Sequence, residues 1–401
     1  MDAKLSSKLV NPNNSKMVLL VLDGLGGLPK TADGKTELET AATPNLDTLA
    51  KEGICGLHNP IRTGITPGSG PAHLGLFGYD PIEHQVGRGV LAALGVNFDL
   101  QLGDVAARGN FCTVDADGFI TDRRAGRIPT DKCQELCDLL SDIEVEGCKI
   151  FIQPVKDYRF LIVMRGEGLS GDINDTDPQE VGKKPLLPTT RNEKAEKTVV
   201  ILKQWIEKAS ARLADLQPAN MFTLRGFAEK PDWHTMQDAF GIKAGAIAAY
   251  PMYRGVAKLV GMDVLKTGST FSDEFDTLEE QWDDYDFFFL HIKTTDSAGE
   301  DGDFDKKVSI IEEVDALIPR LLKLNPDVIA VTGDHSTPAV LKSHSWHPVP
   351  TLIWAKYCRP DLVHEFGERA CMAGGLGANF PATDILPVMT ANAQRFDKFG
   401  A

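Results

Sequence analysis

No apolar run in this chain of 401 residues is long enough to cross a bilayer. MVLLVL, from Met17 to Leu22, falls far short of the roughly 20 residues that a membrane helix needs. The stretch ahead of it, MDAKLSSKLVNPNNSK, lacks the apolar core of a signal peptide. Cysteine is scattered: Cys55, Cys112, Cys133, Cys137, Cys148, Cys358 and Cys371 make an odd count of seven with no CxxC pair. Such usage argues against a disulfide framework and fits reduced thiols in the cytoplasm. Positive charge is in deficit, with 42 Lys and Arg against 57 Asp and Glu and a formal net charge of −15. A field of that sign repels nucleic acid and anionic membranes, so neither is expected as a partner. A small anionic substrate is still allowed, because a local arginine cluster or a metal ion dominates at short range. Repeats and low-complexity segments are missing too, and no feature bears on oligomeric state.

Apolar residues make up 42% of the chain and charged residues 25%, the balance of a packed globular protein. The length exceeds what one core usually fills, so two domains or a large insertion are expected. Short apolar runs recur, each ending in polar residues: MVLLVL before Asp23-Gly24, FFFLHI before KTTD ending at Asp296, VIAV before TGDH, and VPTLIWA. Runs that are apolar throughout fit parallel strands covered on both faces. Helical patterns lie between them: Thr43-Pro44 opens NLDTLAKEG, and Lys306 to Leu324 has apolar residues at helical spacing. Strands alternating with helices imply an α/β sheet whose ligands bind beyond the carboxyl ends of the strands. Roughly 100–215 differs in texture, with the arginine-bearing segments ARGNF, TDRRAGR and YRFLIVMRGEG. It reads as an inserted domain in a discontinuous one formed by 1–99 and 216–401.

Asp23, Asp296, Asp334 and His335 all fall at strand ends, and KSHSWHPVP adds His344 and His347. Carboxylate and imidazole groups converging from several strands suit divalent ions such as Mn²⁺, Mg²⁺ or Zn²⁺. TPGSGPAHLGLFGYDP places Ser69 between two glycines, with Pro71 suited to a helix start. By itself Ser69 reads as a helix cap. Beside a metal centre, a serine at a helix N-terminus reads as the nucleophile of a phosphoryl transfer. His73, next to an apolar helix, reads as structural or as a support for the serine segment.

LLVLDGLGG, PGSGPAHLGLFGYDP, KTTDSAGEDGDF, VTGDHSTP and HSWHPVP, in this order, resemble the archaeal-type branch of 2,3-bisphosphoglycerate-independent phosphoglycerate mutases, within the alkaline phosphatase superfamily. The resemblance covers essentially the whole chain. It implies an alkaline-phosphatase-like, mostly parallel sheet flanked by helices and interrupted by a smaller inserted α/β domain. It also implies interconversion of 3-phosphoglycerate and 2-phosphoglycerate through a phosphoserine, with two divalent ions, Mn²⁺ before Mg²⁺. By this resemblance Ser69 is nucleophile and metal ligand, and Asp23, Asp334 and His335 hold the ion nearest it. Asp296 and His344 hold the other, with the residue four beyond Asp296. The family pattern is Asp-x-x-x-His, whereas this chain has DSAGE with Glu300 in the last place. An oxygen ligand there would favour Mn²⁺ or Mg²⁺ over Zn²⁺. Arg123, Arg124, Arg127, Arg254 and Lys258 are the candidate substrate contacts, with Arg88 a further one, and the two domains are expected to hinge over the substrate. The rival readings are a phosphatase or another phosphotransferase on the same scaffold, and a metal-binding protein with reduced catalysis.

Overall fold

The protein, described here for residues 3–400 from a computed structural model, divides into two compact units. One combines 1–85 with 233–401, and the other is 86–232. The expected insert of 100–215 lies inside the second unit. That unit is wider because the Arg88–Gly95 helix packs on its strands and Met221–Glu229 is one of them.

The first unit is built on eight strands in the order Gly377–Pro381, Ile54–Asn59, Val349–Ala355, Val328–Thr332, Met17–Leu22, Phe287–Ile292, Ala244–Ala248 and Asp263–Val264. Only Val349–Ala355 runs antiparallel to its neighbours; the remaining pairings are parallel. The central strands are buried along their whole length, as continuous apolar runs require when helices cover both faces. On one face Val18, Leu20, Leu290 and Ile292 pack with Ile310, Ile311 and Val314 of the Phe304–Asp315 helix. The helical pattern from 306 to 324 is two helices rather than one. Phe304–Asp315 ends, and Ile318–Lys323 begins anew with Pro319 in its first turn, where the missing N–H costs nothing.

The second unit carries an antiparallel sheet in which Val105–Val114 pairs with Arg159–Arg165, Ile120–Asp122 and Met221–Glu229, and Lys149–Lys156 pairs with Arg159–Arg165. Its own core joins these strands to the Thr130–Leu140 and Glu196–Leu213 helices through Phe111, Phe160, Leu136, Leu202 and Trp205. Among the described residues all seven cysteines are free thiols, and no helix is long and apolar enough to cross a membrane.

Candidate metal centre

Met17–Leu22 lies between Val328–Thr332 and Phe287–Ile292, with Val21 level with Thr332 and Leu22 level with Ile292. The three chains therefore leave the sheet side by side, and Asp23, Asp334-His335 and Asp296 emerge at one edge. The turn after Asp23 depends on Gly24 (φ +66°), where a Cβ would lie 2.6 Å from Thr337 Oγ1. Both the backbone angle and the space demand glycine there.

Two sets of ligating atoms form, one from Asp23, Asp334 and His335, the other from Asp296, His335 and His344; within each set the atoms lie within 4.8 Å of one another. His335 belongs to both, although only the first set was expected to include it. Its Nε2 stands 3.4 Å from Asp23 Oδ1, 3.1 Å from Asp334 Oδ2 and 3.1 Å from Ser69 Oγ. Ser69 is the first residue of the Ser69–Leu76 helix and makes no capping bond; Gly68 is the N-cap. Gly68 has φ −90° and ψ 153°, angles open to any residue, so its bareness is not a backbone requirement.

Hydrogen bonding sets which imidazole nitrogen carries the proton. The Thr337 hydroxyl donates to Asp296 Oδ1 at 2.6 Å, so toward His335 Nδ1 at 3.0 Å it accepts. His335 thus holds its proton on Nδ1 and turns the Nε2 lone pair to the centre. His344 Nδ1 donates to the Pro67 carbonyl at 2.9 Å, which frees Nε2 toward Asp296 at 3.6 Å. His73 Nδ1 donates to the Ser69 carbonyl at 2.8 Å, so this nitrogen supports the serine and is not a ligand. His347 bonds to Ser345 and belongs to neither set.

Charge at the centre is unbalanced. Burial pushes the Asp23 carboxyl up, but Lys293, His291 and His335 outweigh it and hold Asp23 well below the usual carboxylate range. Burial and the Asp23 charge push Asp334 well above that range, since two buried carboxylates do not both ionise without a cation. Both Asp23 oxygens and Asp334 Oδ2 make no hydrogen bond, although the Lys293 ammonium stands 3.2 Å from Asp23 Oδ2. Buried, unsatisfied carboxylates facing imidazole lone pairs are a donor set that fits divalent cations. Glu300 stands at the margin, with its side chain 55% exposed and Oε1 3.9 Å from His344 Nε2.

Lys293, Tyr253 and Thr337 join the centre although the sequence assigned them no role; Lys293 and Thr337 lie within KTTDSAGEDGDF and VTGDHSTP. Lys293 pairs with Asp23 at 3.2 Å and also with Asp296; it is the first residue of the KTTD already marked at a strand end. The Tyr253 ring stacks on His291 at 3.8 Å between centroids. Arg254 and Lys258 share the Pro251–Leu259 helix with Tyr253, and this helix packs against the serine helix. Arg254 Nε is buried without a hydrogen bond.

The other candidate arginines lie in the second unit. Arg123 pairs with Asp177 at 3.0 Å, while Arg124 and Arg127 are exposed. Near them in sequence or pairing is a set not expected as a group. Arg108 and Arg225 are cross-strand partners, Arg225 lies 3.5 Å from Asp175 and 3.7 Å from Asp177, and burial followed by the Arg225 charge lowers the pKa of Arg88.

Known proteins resemble this chain along nearly its whole length. The family described as 2,3-bisphosphoglycerate-independent phosphoglycerate mutase matches residues 50–220. A relative from Aquifex aeolicus, described as a probable 2,3-bisphosphoglycerate-independent phosphoglycerate mutase, is 52% identical over 98% of this chain and 99% of its own. One of the same description from Thermus thermophilus is 46% identical over 98% of each chain. Among solved structures, a Pyrococcus horikoshii protein superposes with a TM-score of 0.84 at 33% identity, covering 97% of this chain and 100% of its own. The cofactor-independent phosphoglycerate mutase from Thermoplasma acidophilum gives 0.70 at 28% identity, covering 94% and 100%. With relatives this similar along nearly its whole length, the chain belongs to the 2,3-bisphosphoglycerate-independent phosphoglycerate mutase family.

Proposed function

We propose that the centre around Ser69 moves a phosphoryl group within phosphoglycerate, interconverting 3-phosphoglycerate and 2-phosphoglycerate through a phosphoserine, in the cytoplasm and without bisphosphoglycerate. The observation that carries this reading is the Ser69 hydroxyl 3.1 Å from His335 Nε2, beside carboxylates that no hydrogen bond satisfies. Asp23, Ser69, Asp334 and His335 would hold one divalent ion, and Asp296, His344 and Glu300 a second, with Mn²⁺ or Mg²⁺ suited to so many oxygens. When bound, such ions lower the pKa of the serine hydroxyl and offset phosphate charge.

Ser69 Oγ gives up its proton and bonds to phosphorus as the bond from phosphorus to the glycerate 3-oxygen breaks, and that oxygen takes up a proton. In the second half the 2-hydroxyl loses its proton and attacks phosphorus, and Ser69 Oγ leaves and is protonated again. The serine starts a helix, where first-turn N–H groups favour an anion. His73 holds the serine carbonyl from behind. Arg254 and Lys258 are suited to the substrate's carboxylate or phosphate. For the second unit we propose anion binding through Arg123, Arg124 and Arg127, with Arg88 and Arg225 beside them in the candidate set.

Purified protein given 3-phosphoglycerate, Mn²⁺ and a coupled enolase tests the reading. Turnover without added bisphosphoglycerate is expected. Release of inorganic phosphate instead would mark a phosphatase on this scaffold, and silence a metal-binding protein without turnover.

A further inference from the structure

Lys307 is wholly buried, on the Phe304–Asp315 helix behind the centre. A lysine in such a place must satisfy all its donors, and this one does. Nζ donates to the carbonyls of Gly24 at 2.8 Å, Gly26 at 3.1 Å and Thr337 at 2.9 Å. The first two belong to the turn that follows Asp23, and the third to the segment that follows Asp334-His335. One ammonium therefore ties together the two turns that deliver ligands from neighbouring strands.

The tie reaches the ligands through Thr337. Its N–H bonds back to Gly24 and Gly26, and its hydroxyl touches Asp296 and His335, one ligand that serves the second set alone and one that serves both. Gly24 N–H in turn donates to Asp334 Oδ1 at 3.0 Å. Glu37, also wholly buried, completes the arrangement from the other side by accepting from the Ala339 N–H at 2.7 Å. Burial lowers the pKa of Lys307, and the Glu37 charge works against that shift. The space is fitted to it, since a Cβ on Gly27 would lie 1.9 Å from Glu37 Oε2.

We propose that Lys307, balanced by Glu37, is a positioning residue that holds the two ligand-bearing turns in register for metal binding and transfer. This rests on the reading of the centre as a metal site. Lys307 contacts no ligand side chain directly, so its removal should loosen the ions and slow chemistry while leaving substrate binding alone.

The test uses the whole protein, with Mn²⁺ as probe. Lys307→Met keeps the length of the side chain and removes the charge. Lys307→Met/Glu37→Gln removes both charges and supplies the measurement where the single variant fails to fold. Thermal unfolding and circular dichroism establish the folded state, titration calorimetry reads Mn²⁺ affinity, and the enolase-coupled assay separates kcat from KM. The expected result is a folded variant whose Mn²⁺ affinity falls about 10–100-fold, the usual effect of removing a group behind the ligands. Its kcat should fall with KM unchanged. A folded variant with the parent's Mn²⁺ affinity and kcat, and only a lower melting temperature, would overturn the proposal while leaving the metal centre standing. A parent that binds no Mn²⁺ would overturn the centre and this proposal together.

Discussion

Glu300 stands where the sequence resemblance anticipates a histidine, and its chemistry is open to direct measurement. It stands 3.9 Å from His344, and burial followed by the Asp296 charge raises its pKa. If it closes on an ion, Glu300→Ala should weaken one of two Mn²⁺ sites, and Glu300→His should shift preference toward Zn²⁺. Equal affinity and preference in parent and variants, read by metal titration, would remove Glu300 from the site. The candidate ligands Asp23, Asp296, Asp334 and His335 stand out in the sequence because each comes within four residues of the end of an apolar strand. The membership of His335 in both sets was not legible. It depends on Thr337 and on the register of strands far apart in sequence. Lys307 was hidden for a similar reason, since its carbonyl partners bear no side-chain signature.

At the scale of elements, the strands Met17–Leu22, Phe287–Ile292, Val328–Thr332 and Val349–Ala355 were readable from apolar runs, and the start of the Pro44–Glu52 helix from its proline. The split after Asp315 was masked because apolar spacing continues across it. The Phe271–Glu280 helix supplies a prediction of its own. Thr270 and Asp273 form its capping box, and Glu274, the next residue, is buried with Oε2 unbonded. Burial, with a smaller contribution from Asp273, pushes Glu274 up to about 8. The folded protein therefore holds a proton there that the unfolded chain releases near the ordinary value of 4.5. Stability should fall as pH rises from that value toward 8, by on the order of 4 kcal/mol in all if no other group responds. Glu274→Gln should flatten this slope, gaining over the parent at pH 9 and little at pH 4 in denaturant unfolding. A constant difference at both pH values would show that Glu274 finds a partner when charged.

On the scale of the whole molecule, an acidic chain is proposed to act on an acidic substrate, and local cations must reverse the global field. The second unit, 86–232, is wider than the arginine-bearing 100–215 because the Arg88–Gly95 helix and the Met221–Glu229 strand join it through packing that the sequence does not signal. Arg254 lies in the same unit as Ser69. Arg254→Ala should raise KM for 3-phosphoglycerate about 10–100-fold, the loss of a charged hydrogen-bonded contact worth about 1.5–3 kcal/mol. An unchanged KM would move recognition to the second unit.

Every step of the proposed transfer passes through one hydroxyl. Ser69→Ala should abolish turnover while leaving the fold and most Mn²⁺ binding intact, as coupled assay and calorimetry would record. The most direct measurement is to quench the Mn²⁺-loaded parent during turnover of 3-phosphoglycerate and locate phosphate by peptide mass spectrometry. Phosphate on Ser69, absent from Ser69→Ala treated alike, is the predicted result. Continued mutase turnover in Ser69→Ala, or phosphate carried on a different residue of the parent, would contradict it.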